Sequence, residues 1–257
     1  MKIMIRIWKK SELWFALLWI AVYMTGNSLS AELPGALGTK SYASAVFHVA
    51  VSLSLFFWVR ENGLAKRYGL CKADAPASQF LWYIPLVVLP LISLWNGVTL
   101  NLSITDAVFS ICSMIGVGFL EELLFRGFLF RAASHGSVKM GIVISSVSFG
   151  LGHIFNLVND RGTELPENIW QVIFATAFGF LCAIIFCRGG SLRSCILAHS
   201  AFNVASVFAK DAEITVPMQI LRNTASLVLV IGYAWFLAST LPEGYLDSGC
   251  ERPPKTQ

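Results

Sequence analysis

Three short motifs that contain polar residues lie inside otherwise apolar stretches of the sequence. They are Glu121, Glu122 and Arg126; Phe149 and His153; and His199 and Asn203. Carboxylates and imidazoles are the side chains that most often transfer protons in catalysis. Histidine and asparagine can also donate hydrogen bonds to an oxyanion as it develops. The three groups therefore predict a site for acid–base chemistry in an apolar part of the protein.

The first group predicts two carboxylates with different partners. In a regular helix, at about 100° per residue, Glu122 and Arg126 share one face, whereas Glu121 points about 140° away from Arg126. We therefore expect Glu122 to pair with Arg126, and Glu121 to face another direction as a lone buried carboxylate suited to a general base. The alternative is that all three residues form a structural ion-pair cluster between helices.

The other two groups are ambiguous when each is taken alone. A histidine in an apolar helix can simply hydrogen-bond a neighbouring helix, and such contacts stabilise by only about 0.6 kcal/mol. Asn156 could join the face that carries His153, and His199 and Asn203 lie one turn apart. Isolated polar groups are costly in lipid, so polar turns in three separate segments should converge on one another or on a water-filled cavity. A shared functional site is the preferred interpretation.

The composition is that of a polytopic membrane protein. Of 257 residues, 56% are hydrophobic and 13% are charged, and the mean hydropathy is +0.66. Soluble domains carry roughly 25% charged residues. The net charge of +4 is spread over short segments and forms no basic run, which argues against nucleic-acid binding. The six cysteines show no disulfide or zinc-finger spacing and are expected to be small buried residues.

The fold class expected is an all-α polytopic membrane protein with about eight transmembrane helices, forming a single transmembrane domain over residues 1–257. Stretches that can cross a bilayer need about 20 apolar residues. The candidates are roughly 13–31, 42–59, 80–100, 104–130, 141–158, 169–187, 191–209 and 217–241. The three polar groups fall within residues 104–209, which we define as the catalytic motif region.

The distribution of Lys and Arg predicts that both termini are cytoplasmic. With that orientation, fourteen of the 19 basic residues lie in cytoplasmic segments and four in outer ones, and Arg126 lies inside a span. This asymmetry follows the positive-inside rule. The first apolar stretch could alternatively be a secretory signal, since it follows a basic start and precedes small residues near Ala31. A retained first span is the preferred reading.

The ordered motifs resemble those of the CPBP family, the CAAX proteases and bacteriocin-processing proteins also called Abi. The matching patterns are Glu121-Glu122-x-x-x-Arg126, Phe149-x-x-x-His153 and His199-x-x-x-Asn203. The resemblance implies an intramembrane endopeptidase that cleaves a membrane-anchored or lipidated substrate, either of CAAX type or at a C-terminal tail. It implies that Glu121 and His153 activate a water, that His199 and Asn203 stabilise the oxyanion, and that Glu122, Arg126 and Phe149 support the site.

The resemblance also sets expectations for cofactor, partners and location. No cofactor is required in the preferred hypothesis, which is a glutamate-type mechanism. If the activity were metal-dependent, Glu121, His153 and His199 would be the Zn²⁺ ligands. The expected partners are membrane lipid and a membrane-anchored or lipidated protein or peptide, with no nucleic acid. The expected location is the bacterial inner (plasma) membrane.

Three other functions remain as alternatives. The first is a non-catalytic membrane protein that binds a peptide or confers bacteriocin self-immunity. The second is a transporter that couples protons through Glu121, which would require broken helices and two similar halves. The third is a thiol mechanism through Cys195, four residues before His199. His48 and His135 lie outside the motifs and are expected to be structural or solvent-exposed.

Overall fold

The structure is a computed structural model. It describes residues 2–33, 39, 41–76, 78, 80, 83–158, 164–210, 215–242 and 245. This part of the chain is helical and contains no strand, only an isolated antiparallel bridge between Val98 and Ala209. The all-α fold class is therefore confirmed. Lys40, Arg161, Arg252 and Lys255, which contribute to the predicted orientation, lie outside the described residues.

The helices follow one another along the chain, and the longest connection between them is residues 62–83. They are α1 (Lys2–Lys10), α2 (Glu12–Glu32), α3 (Tyr42–Glu61), α4 (Ile84–Ser93), α5 (Ile104–Glu121), a π-helical segment (Glu122–Leu129), α6 (Phe130–Ala133), α7 (Val138–Gly152), α8 (Phe155–Val158), α9 (Leu165–Gly189), α10 (Arg193–Val207) and α11 (Val216–Ser239). The segment from Ile104 to Ala133 is one continuous helical rod.

Six helical segments in the described part of the chain are long and apolar enough to cross a membrane. They are Glu12–Glu32, Tyr42–Glu61, Ile104–Ala133, Val138–Leu157, Leu165–Gly189 and Val216–Ser239. The predicted spans 80–100 and 191–209 instead contain shorter helices, α4 with 10 residues and α10 with 15 residues. A full span needs about 20 residues, so the count of eight and the orientation of the termini remain predictions.

Serine caps fix the starts of three of these helices. The side-chain oxygen of each serine accepts the backbone N–H three residues further on, which satisfies one of the free donors at a helix start. The capping residues are Ser11, Ser103 and Ser137. These caps set where the rods that carry the site residues begin.

Small residues allow the site-bearing helices to approach one another closely. Ala175, Gly179 and Ala183 recur at helical spacing in the predicted span 169–187 and predict tight packing there. This prediction is confirmed, because a Cβ at Gly179 in α9 would lie 2.9 Å from the Cα of Ser146 in α7. A Cβ at Gly118 in α5 would lie 2.9 Å from the Cα of Ser200 in α10. These contacts hold α5, α7, α9 and α10 close enough to share a polar centre.

Candidate active site

The first motif lies where the helix changes type. Glu121 ends α5, and the next eight residues, Glu122–Leu129, are π-helical and all buried. The assumption of a regular α-helix through this motif is therefore wrong, because the backbone here forms i→i+5 bonds such as that from Phe130 N–H to the Phe125 carbonyl. π-Helical segments are rare and often occur at functional sites.

Glu122 and Arg126 form the predicted ion pair. Nη1 of Arg126 lies 3.3 Å from Oε1 of Glu122, and both side chains are 0% exposed. The guanidinium also stacks on the ring of Phe149, with its Cζ 3.9 Å from the ring centroid. Its nitrogens form no hydrogen bond with the described residues. The carboxylate of Glu122 and the face of Phe149 are therefore the contacts that stabilise this buried charge.

His199 contacts both glutamates. Its Nδ1 lies 2.9 Å from Oε1 of Glu122, and its Nε2 lies 3.4 Å from Oε2 of Glu121. The expectation that Glu121 stands alone on a separate face is therefore wrong. Neighbouring residues of a helix point about 100° apart. The imidazole of His199, in α10, lies between the two carboxylates and contacts both. The Glu121 side chain retains 14% exposure, whereas Glu122 has none.

Tyr23 in α2 is a site residue that the motifs do not identify. Its hydroxyl donates to Oε1 of Glu121 at 2.7 Å. The other oxygen of Glu121 faces His199, so both carboxylate oxygens have a polar neighbour. In the sequence, Tyr23 is an isolated tyrosine in an apolar span. Nothing in its spacing links it to Glu121, 98 positions away.

His153 lies just beyond the end of α7, in a turn that fixes its ring. Its Nδ1 is 3.1 Å from the carbonyl oxygen of Phe149, which can only accept, so Nδ1 carries a proton, and in the neutral form of the ring Nε2 has a lone pair. The Asn168 side chain, buried in α9, donates to the His153 carbonyl at 2.9 Å. Asn168 is thus a second supporting residue that the sequence motifs do not reveal.

All four predicted catalytic residues line one cavity of about 440 Å³. They are Glu121, His153, His199 and Asn203. Straight helices with the predicted boundaries would place Glu121 and His153 at different depths. In the structure both residues line the same cavity, and α7 ends at Gly152, just before His153. Asn156 also lines the cavity, and its amide donates to Oε1 of Gln171 at 3.0 Å.

His48 is buried and also lines this cavity. Its Nδ1 lies 2.9 Å from the hydroxyl of Ser113. A structural or exposed position was expected for His48, and the structure places it at the wall of the candidate site. His135, by contrast, has a side chain that is 70% exposed. The first two long helices therefore contribute Tyr23 and His48 to the site, although neither helix carries a motif.

The residues expected to bind zinc in a metal-dependent enzyme do not assemble as a metal-ligand group. In the described ranges, the group whose donor atoms lie within 4.8 Å of one another is Glu122, Cys182 and Cys195, all buried. Glu121, His153 and His199 form no such group there. Cys195 is buried with Sγ 3.6 Å from the Cys182 carbonyl, and it does not line the cavity, which gives the thiol hypothesis no support.

The fold and the site define an integral membrane protein whose helices enclose a cavity lined by carboxylate and imidazole groups. Residues 103–205 match the family described as Type II CAAX prenyl endopeptidase Rce1-like. The match contains all three motifs and confirms the resemblance to the CPBP family, which is a family of proteases. No characterised protein and no solved structure was found to match the chain.

Proposed function

We propose that this protein is an intramembrane endopeptidase that hydrolyses a peptide bond of a membrane-anchored or lipidated substrate. The observation that carries the proposal is the convergence of Glu121, His153, His199 and Asn203 on one cavity within the helix bundle. The family match over residues 103–205 supports a protease, and its description supports a CAAX-type prenylated substrate.

In the proposed reaction, Glu121 and His153 activate the attacking water. The hydroxyl of Tyr23 donates to one oxygen of Glu121 and so orients the carboxylate, which lines the cavity. The lone pair on Nε2 of His153 can accept a hydrogen bond from the same water, because Nδ1 is committed to the Phe149 carbonyl. Attack on the scissile carbonyl transfers a proton to Glu121, which then protonates the departing amine.

His199 and Asn203 stabilise the tetrahedral oxyanion in this proposal. The Asn203 amide can donate directly. His199 can donate from Nε2 when both ring nitrogens carry a proton, with Nδ1 donating to Glu122. The imidazolium and Arg126 then balance the two glutamates, so the cluster has no net charge in the water-poor interior. No step in this scheme passes through a metal.

The proposed topology keeps eight spans with both termini in the cytoplasm. α4 and α10, the two shorter helices, would complete the count together with residues that flank them. The asymmetry of Lys and Arg supports this orientation. Single cysteines would be introduced after Lys2 and before Pro242 in a variant whose six native cysteines are replaced. In intact cells, a reagent that does not cross the membrane should label them only after the membrane is opened.

Cleavage in a reconstituted membrane tests the proposed activity. The protein would be placed in lipid vesicles with a prenylated CAAX peptide, and products would be identified by mass spectrometry. The wild type should release a C-terminal fragment, whereas Glu121→Gln and His153→Ala should not. Each variant must show the wild-type melting transition. If folded variants cleave as the wild type does, the assigned residues are wrong.

The same variants separate proteolysis from the non-catalytic alternative. A peptide-binding or self-immunity protein needs its cavity but not its general base. In cells, an effect of the protein that persists in folded Glu121→Gln would therefore support binding without cleavage. An effect lost together with peptide cleavage supports the endopeptidase.

A further inference from the structure

A second cavity of about 440 Å³ lies between α4, α9, α10 and α11. We call it the arginine chamber, because Arg222 lines it together with Asn223 and the aromatic residues Phe174 and Phe202. Its size falls in the range in which small ligands and short peptide segments bind. None of its residues other than Gln171 lines the main cavity that contains Glu121.

A third, smaller cavity shares lining residues with both the arginine chamber and the main cavity, and we call it the passage. This passage has a volume of about 100 Å³ and is lined by Phe174 and Phe202, which also line the chamber. His153, His199 and Asn203 line the other part of the passage. These three residues therefore lie between the main cavity and the chamber. A peptide whose scissile bond lies at the motif residues would have space on both sides of that bond.

Arg222 is the only charged residue within α11. It is partly buried, and its Nε and Nη2 each lie 3.3 Å from the neutral side-chain oxygen of Asn223. Among the residues that the structure describes, no carboxylate forms an ion pair with it. Glu167, the acidic residue of the chamber, instead accepts a hydrogen bond from Gln219. Arg222 lies near the start of α11 and is only partly buried, and an anionic ligand in the chamber would supply the ion-pair partner that the described residues do not.

The main cavity differs from the chamber in its ionisable groups. Among the described residues, its lining contains Glu121 and three histidines but neither Lys nor Arg. A peptide has one obligatory anion, its terminal α-carboxylate, and arginine binds carboxylates through two parallel hydrogen bonds. The two cavities thus differ in a way that would orient a bound peptide, with its C-terminus toward Arg222.

We infer that the arginine chamber binds the free C-terminal carboxylate of the segment that the enzyme releases, through Arg222. This inference rests on the proposed endopeptidase function and adds the residue that would hold the C-terminus of its substrate. An anionic lipid headgroup is the competing ligand for such an arginine. The passage to His153, His199 and Asn203 favours the peptide, because a lipid headgroup would not need it.

Two prenylated peptides of identical sequence, one ending in a carboxylate and one in a carboxamide, test the inference in vesicles of neutral lipid. The wild type should cleave the carboxylate peptide with a kcat/KM at least about tenfold higher than that for the carboxamide peptide, the factor expected for loss of a hydrogen bond between charged groups. In Arg222→Gln this ratio should fall to about one. Arg60→Gln is the matched control, because Arg60 is exposed at the end of α3 and lines neither cavity, and it should keep the wild-type ratio.

Equal cleavage of the two peptides by the wild type would overturn the inference while leaving the proposed function intact. So would a fall in kcat/KM in Arg222→Gln that is the same for both peptides. If Arg222 instead holds an anionic lipid headgroup, adding anionic lipid to the vesicles should change the cleavage of both peptides equally in the wild type and leave Arg222→Gln unaffected. If the wild type cleaves neither peptide, the proposed function fails. The inference is then tested by comparing the affinities of the protein for the two peptides. Tighter binding of the carboxylate peptide that depends on Arg222 supports it, and equal binding contradicts it.

Discussion

His199 joins two carboxylates that are adjacent in sequence, with Nδ1 2.9 Å from Oε1 of Glu122 and Nε2 3.4 Å from Oε2 of Glu121. One imidazole therefore links the buried ion pair of the motif to the carboxylate at the cavity. Glu122 holds the ring in place, and Glu121 faces the cavity. The two glutamates of the motif should consequently respond differently to the same substitution.

Glu122→Gln should destabilise the fold. The substitution leaves the charge of Arg126 buried without its carboxylate, and breaking a buried pair in this way costs about 3–5 kcal/mol. The melting temperature in detergent should fall markedly, whereas Glu61→Gln, at the exposed end of α3, should leave it unchanged. An unchanged melting temperature in Glu122→Gln would show that the pair does not hold the helices together.

Tyr23→Phe should reduce activity without unfolding the protein. The change removes only the hydroxyl that donates to Oε1 of Glu121. A hydrogen bond to a charged group contributes a net stabilisation of about 1.5–3 kcal/mol. If this bond orients Glu121 in the transition state, its loss corresponds to roughly a tenfold or larger fall in kcat. Tyr42→Phe is the control, since the ring of Tyr42 packs on Phe109 away from Glu121. Equal activity of the two variants would remove Tyr23 from the site.

Gly118→Ala should separate α5 from α10. The added Cβ would lie 2.8 Å from the backbone nitrogen of Ser200, which is too close for any side chain. Ser200 follows His199 directly, so the contact between His199 and Glu121 should lengthen. A misplacement of about 1 Å can lower activity about 100-fold. Gly232→Ala, where a Cβ meets nothing within 4 Å, should have no effect on cleavage.

Chelation should not affect cleavage in vesicles. The residues expected as zinc ligands, Glu121, His153 and His199, form no metal-ligand group in the described part of the chain. Treatment with EDTA or phenanthroline should therefore leave kcat/KM unchanged, and a zinc protease in the same vesicles should be inhibited. Inhibition that added Zn²⁺ reverses would support a metal-dependent mechanism instead.

The long helices and the convergence of the three motifs on one cavity could both be predicted from the positions of apolar and polar residues in the sequence. Apolar length identifies a span, and the cost of polar groups in lipid requires them to converge. The spacing of Glu122 and Arg126 was sufficient to predict their pairing. α4 and α10 were predicted as longer spans, because hydropathy cannot show where a helix begins within an apolar stretch such as that around Pro85 and Pro90.

Other features of the site depend on tertiary packing and leave no local signal. The π-helical segment Glu122–Leu129 has the composition of an ordinary apolar helix, so its hydrogen-bond pattern is visible only in three dimensions. Tyr23, His48 and Asn168 are single polar residues in segments without motifs. Each becomes a site residue only through a partner distant in sequence, as Tyr23 does through Glu121.

The central claim is that Glu121 is the base of an endopeptidase, and the peptide termini of the membrane proteome test it most directly. Termini would be compared between cells that contain the wild type and cells that contain Glu121→Gln at equal abundance and equal melting temperature. We predict that the wild type produces one or more new C-termini on membrane-anchored proteins, and that these termini are absent with Glu121→Gln. The same new termini in both cell lines would contradict the claim.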